Sequence, residues 1–174
     1  DARLGIDNTR GEYNTLGTSY ITVQDRGGVY VAIGNNTFTN SFSLEGLGWR
    51  ETAGRLGALR TIGGTSSGNI LLTGNARIAA YNGEDGVISG VISDGGNNYG
   101  IEKWGTGRTT LTGASTYGGT TYVSDGQLKL ANASGAALYN GQSSGLVVIR
   151  HETTQWGTGS NGVCSLLEFG ANNQ

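Results

Sequence analysis

No proline and no methionine occur in this chain, and cysteine and histidine occur once each. A lone cysteine excludes an intrachain disulfide, so covalent cross-links do not hold the fold. In VCSLLEF, Cys164 reads as a small buried hydrophobe rather than a reactive thiol or an intermolecular bridge. A lone histidine leaves zinc sites and catalytic triads without their usual partners; His151, in RHE, reads as a turn-edge residue beside a salt-bridging arginine. Charge is scarce too, at 14% of residues with a formal net of −2. The basic residues are scattered, with no stripe of the kind that nucleic acid requires. No apolar run approaches the ~20 residues of a membrane helix, and no charged-then-apolar signal segment opens the chain. The first residue is Asp1 rather than Met, so a processed product or a fragment is expected.

What the chain has instead is glycine, 33 of 174 residues, set among Thr, Ser and Asn. Such a composition suits disorder unless apolar residues cluster. Here they do: they make up 36% and gather in runs such as NILL, GVISGVIS and GLVVI. The glycines therefore read as turn residues between many short strands. SYITV, GVYVAI, TFTNSFSL, ARIAAY and TTYVSD alternate apolar and polar, and turn signals such as Gly34-Asn35-Asn36, Asn82-Gly83 and Asp125-Gly126 separate them. The nearest approach to a helix, residues 45–59, is interrupted by four glycines. The expected class is all-β, and the low cysteine and charge content leans towards an extracellular setting.

Spacing narrows the class. Leu72, Val91, Thr110, Lys129, Val148 and Leu167 recur at a step of about 19 residues, echoed by Ile92, Leu111, Leu130 and Ile149. A β-solenoid with coils of about 19 residues, spanning residues 1–174 as a single domain, is the expected architecture. The tetrapeptide WGTG at 104–107 and 156–159 is a weaker echo. A Greek-key sandwich is the rival, with strands every eight to twelve residues and no coil-length repeat.

Residues 101–133, IEKWGTGRTTLTGASTYGGTTYVSDGQLKLANA, carry the most specific pattern. Lys103, Gly105, Gly107, Leu111, Thr112, Gly113, Ala114, Thr116, Tyr117, Gly118, Gly119, Thr120, Thr121, Val123, Gly126, Leu128 and Leu130 lie where the autotransporter-associated β-strand repeat has the same residues. The segment resembles that repeat, with Arg108, Thr109, Ser115 and Tyr122 as departures; with the upstream stretch the likeness covers roughly 36–133 and, more loosely, the remainder. The resemblance implies a right-handed parallel β-helix, exported and displayed at the bacterial cell surface. The strands of an outer-membrane barrel are absent from the sequence itself.

Chemistry is sparse. Lyases and hydrolases built on parallel β-helices need several carboxylates side by side. Only Glu84 and Asp85 are adjacent here, and neighbours on a strand point to opposite faces. Glu102 could approach Glu84 across coils but reads as a solvated edge charge. Asp94-Gly95-Gly96-Asn97-Asn98 reads as a turn in preference to a calcium loop. Trp49, Trp104, Tyr117, Tyr122 and Trp156 read as packing, with a carbohydrate-stacking strip as the alternative. Asn35 and Asn132 satisfy the glycosylation pattern without implying modification. No catalytic, cofactor or metal residue is assigned. The expected function is a structural solenoid unit of a surface fibre, associating head to tail through its open ends. A glycan- or host-binding adhesin passenger is the second reading and a polysaccharide lyase or hydrolase the third.

Overall fold

Most strands span two to six residues, and each finds its hydrogen-bonding partners one coil away. The computed structural model describes residues 2–7, 16–51, 54–81, 83–134, 137–138, 146–150 and 165–170. Among these residues the pairing is parallel throughout, apart from one hairpin, Arg50–Glu51 with Gly54–Arg55. Short strands of this kind bury little alone, so stability comes from stacking them.

The stacks form three faces of a parallel β-solenoid. The first face holds Ala2–Asp7, Gly27–Ala32, Leu59–Thr61, the second half of Ile70–Ala79, Ile101–Trp104, Thr121–Val123 and Val147–Ile149. The second holds Thr37–Phe38, Thr65–Ser66, Asp85–Ile88, Arg108–Leu111, Gln127–Leu130 and Leu166–Phe169. The third holds Ile21–Val23, Phe42–Gly46, the first half of Ile70–Ala79 and Ile92–Ser93. Ile70–Ala79 turns the corner between the third and first faces through a register shift between Leu72 and Ala76.

Alternation sends every second side chain inward, where equivalent positions stack. On the second face Phe38, Ser66, Ile88, Leu111, Leu130 and Phe169 form one ladder. On the third, Ile21, Phe42, Ile70 and Ile92 form another. Each fully buried Ile, Leu or Phe contributes about 1.5–3 kcal/mol. The first face runs Leu4, Val29, Leu59, Ile78, Lys103, Val123, Ile149, a lysine within an aliphatic column.

The register corrects the 19-residue series. Thr110 does pair with Lys129, and Leu111 with Leu130, 19 residues on, and Leu59 steps 19 to Ile78. Elsewhere coils are longer: Val29 pairs with Leu59, Ile78 with Lys103 and Lys129 with Glu168. Leu72 lies on the third face and Val148 on the first, so neither belongs to the Thr110 ladder.

Glycine columns make the corners. Between the second and third faces, a Cβ on Gly68 would sit 2.0 Å from the Asn40 carbonyl oxygen. One on Gly90 would sit 2.0 Å from the Gly68 oxygen, and one on Gly113 2.2 Å from the Gly90 oxygen. Successive coils thus touch backbone to backbone at this corner. The two ends of the stack differ. At the N-terminal end Ile6, Ile21, Val23 and Phe38 are buried, while Leu4, the first member of its ladder, is 40% exposed. In the last described coil Ile149 is 53% and Phe169 60% exposed, while their inward-facing partners Val123 and Leu130 are 0% and 4% exposed.

Candidate ligand-binding face

The outer surface of the first face gathers polar and aromatic side chains. Tyr30 pairs with Arg60, Arg77 with Glu102, and Glu102 with Tyr122 across neighbouring strands, all on the outward parity. The hairpin folds over this surface: Leu56 packs with Ala79, Tyr81 and Trp104, and Trp49 lies against the cluster. Gly48 permits this docking, because a Cβ there would lie 2.0 Å from the Gly57 oxygen and its φ is +83°.

Arginines thread between the rings. The Arg3 guanidinium stands 4.2 Å from the Trp49 ring centroid and 5.9 Å from that of Tyr30. Arg60 bridges Tyr30 and Tyr81 at 5.3 and 4.6 Å, Arg77 covers Trp104 at 4.1 Å, and Arg150 covers Tyr122 at 4.4 Å. Such contacts contribute about 0.5–2 kcal/mol each, most where water is excluded.

Glu102 ties four successive coils together. Arg77 Nε donates to one carboxylate oxygen at 2.9 Å. Ser124 Oγ and Arg150 Nη2 donate to the other at 2.7 and 2.8 Å. Burial raises the affinity of this carboxyl for its proton, but the Arg77 charge and the hydrogen bonds of Ser124, Arg150 and Arg77 outweigh it and hold the group below the usual carboxylate range. Glu102 is therefore a buried, ionised linchpin rather than the solvated edge charge expected from sequence. Beside it lies a groove of about 290 Å³, lined in part by Leu47, Asn75, Ile101, Thr120, Tyr122 and Arg150.

Behind the same strand, on the inner side, Lys103 is completely buried. Its Nζ donates to the carbonyl oxygens of Trp104, Gly105 and Asp125 at 2.9, 2.6 and 3.1 Å. Three N–H groups meet three acceptors, which makes the ammonium tolerable in an aliphatic column. Burial still drags its pKa down to about 7, with the Asp125 charge opposing only in part. The lysine stitches a turn of one coil to the turn of the next.

The other carboxylates are committed to structure. Glu84 binds Arg60 through paired contacts at 2.5 and 3.3 Å and accepts the Tyr81 backbone N–H at 2.6 Å. Asp85 pairs with Arg108 at 2.6 Å. Glu84 and Asp85 thus serve different partners, and Glu102 a third set, so the three do not assemble into one acid–base pair. Asp94 accepts N–H bonds from Gly96, Tyr99 and Gly118. Burial raises its pKa, but these donors and the Asn98 N–H lower it further, leaving the carboxyl ionised and turned to backbone donors rather than to a cation. That matches the turn reading of 94–98.

The aromatics divide. Trp104 is buried beneath the hairpin, and Tyr117 is buried in the core with its hydroxyl 2.7 Å from Thr121 Oγ1. Trp49 and Tyr122 remain half-buried on the outer face. Asn132 is engaged, donating to the Thr112 oxygen and accepting from the Ser134 N–H, whereas Asn35 is exposed in a turn. His151, Trp156 and Cys164 lie outside the described residues. No group of three or more metal-ligating side chains occurs among the described residues. Arg77 and Arg150 were not singled out from sequence; they find Glu102 from 25 and 48 residues away, and no local pattern announces either pairing.

A family model described as the passenger-associated-transport-repeat matches residues 101–130. The match covers Glu102, Lys103, the Gly105–Gly107 turn and the strands that pair at a 19-residue step. No curated protein and no solved structure matches the chain.

Proposed function

We propose that this chain, whose residues 101–130 form a passenger-associated transport repeat, is a non-enzymatic structural segment of a bacterial protein held at the cell surface. In this reading it lengthens by end-to-end stacking with a second copy. One observation carries the proposal: the last described coil presents inward-facing Ile149 and Phe169 to solvent, on strands whose outer edges pair with no described residue. Unpaired parallel edges over an open apolar cross-section favour the addition of another coil. The contact is head to tail and does not close on itself, so growth is linear. The engagement of Glu84 by Arg60 and of Asp85 by Arg108 supports the non-enzymatic reading.

Sedimentation velocity over a concentration series tests the stacking. The chain should form a ladder of oligomers, and the double variant Ile149→Lys, Phe169→Lys should sediment as a folded monomer. A wild-type chain that stays monomeric at high micromolar concentration overturns the end-to-end reading.

A further inference from the structure

We infer that the end-to-end contact has one fixed register: Val147–Ile149 of one copy pairs in parallel with Ala2–Leu4 of a second, setting Ile149 on Leu4 and Val148 beside Arg3. The inference rests on the end-to-end reading above and names the surface that receives the exposed end. The first support is topology. Ala2–Asp7 and Val147–Ile149 are the two outer strands of the first-face sheet, and every pairing along that face is parallel. Each offers one edge that pairs with no described residue, and the two edges look in opposite directions along the solenoid axis. A second copy displaced along that axis, without being turned over, brings one edge onto the other.

Exposure and charge then choose the register. Parity keeps Ala2, Leu4 and Ile6 inward and so leaves three seats for Ile149, which is itself 53% exposed. Ile6 is only 7% exposed, so a side chain set on it would meet a position already covered. A seat on Ala2 would bring Arg150 beside Arg3, like charges on directly opposed positions. Leu4, 40% exposed, remains. There Ile149 carries the inner column of one copy, Leu4 to Ile149, straight into the column of the next. The outer row agrees. Arg150 then lies over Gly5, where an added Cβ would meet only Tyr30 at 3.9 Å, so there is room for its bulk. A recess of about 620 Å³, lined in part by Leu4, Ile21, Val23 and Val29, opens beside the receiving strand. Leu146, 58% exposed and next before Val147, comes to its mouth. Apolar surface uncovered at both ends is thereby removed from water.

Disulfide trapping in a Cys164→Ser background tests the register, run beside sedimentation velocity of the background chain. Directly opposed positions on neighbouring strands lie about 4.8 Å apart and positions two residues further along about 8 Å, which a disulfide does not span. Val148→Cys chains mixed with Arg3→Cys chains under mild oxidation should give a mixed cross-linked dimer, in about tenfold or greater excess over Val148→Cys mixed with Gly5→Cys. Ile149→Cys with Leu4→Cys should cross-link likewise, which keeps the test valid if Arg3→Cys unfolds. Oligomers in sedimentation without the expected cross-links, or a Gly5→Cys yield matching that of Arg3→Cys, overturn the register and leave end-to-end association standing. A chain that sediments only as a monomer overturns the register together with the reading on which it rests.

Discussion

At the scale of single residues, Lys103 is the most informative position in the chain. Its parity with Ile101 in the strand Ile101–Trp104 already says that it points inward, so the burial was legible in the sequence. What no sequence pattern supplies is the cage of three carbonyls that makes the burial bearable. The cost shows in the proton equilibrium. The folded pKa is lowered to about 7 from the ordinary 10.5. Between those values the unfolded chain keeps a proton that the folded chain has released, so stability rises with pH across that window. The slope is at most about 1.4 kcal/mol per pH unit, and below the window the penalty is complete and flat. Lys103→Met should remove this rise relative to the wild type in denaturant titrations between pH 7 and 10. An identical pH profile in the two proteins would contradict the burial of a titrating ammonium. Glu102 teaches the opposite lesson. Its outward parity suggested a solvated charge, but Arg77, Ser124 and Arg150 from neighbouring coils surround it.

At the scale of elements, corner glycines set how closely the coils stack. The all-β class, the parallel stacking and the strands of residues 101–130 could be read from alternation and turn residues, because that stretch has the shortest turns. There the 19-residue step is real. It failed for Leu72 and Val148 because coils differ in what they carry between strands: the hairpin excursion lengthens one coil and the Asp94 turn another. Hydrophobic spacing alone cannot tell one face from the next when all three alternate alike. The glycine columns give the element-scale test. Gly90 lies on the backbone of Gly68 with no room for a methyl group. Gly90→Ala should therefore destabilise the chain by about 1–3 kcal/mol, measured as a lower denaturation midpoint. Gly83→Ala, where the added Cβ would meet nothing within 4 Å, isolates the effect of its positive φ. A Gly90→Ala protein as stable as the wild type would contradict backbone-to-backbone stacking at that corner.

At the scale of the whole molecule, the first and last described coils differ in how far their apolar side chains are covered, although Leu4, at the start of the inner ladder, is itself 40% exposed. The asymmetry lies in the burial of Ile6, Ile21 and Val23 against the exposure of Ile149 and Phe169. Electron microscopy of the purified chain after concentration tests the central claim most directly. The account predicts unbranched rods of uniform width whose strands repeat at about 4.8 Å along the rod axis. A field of single compact particles at every concentration would contradict it.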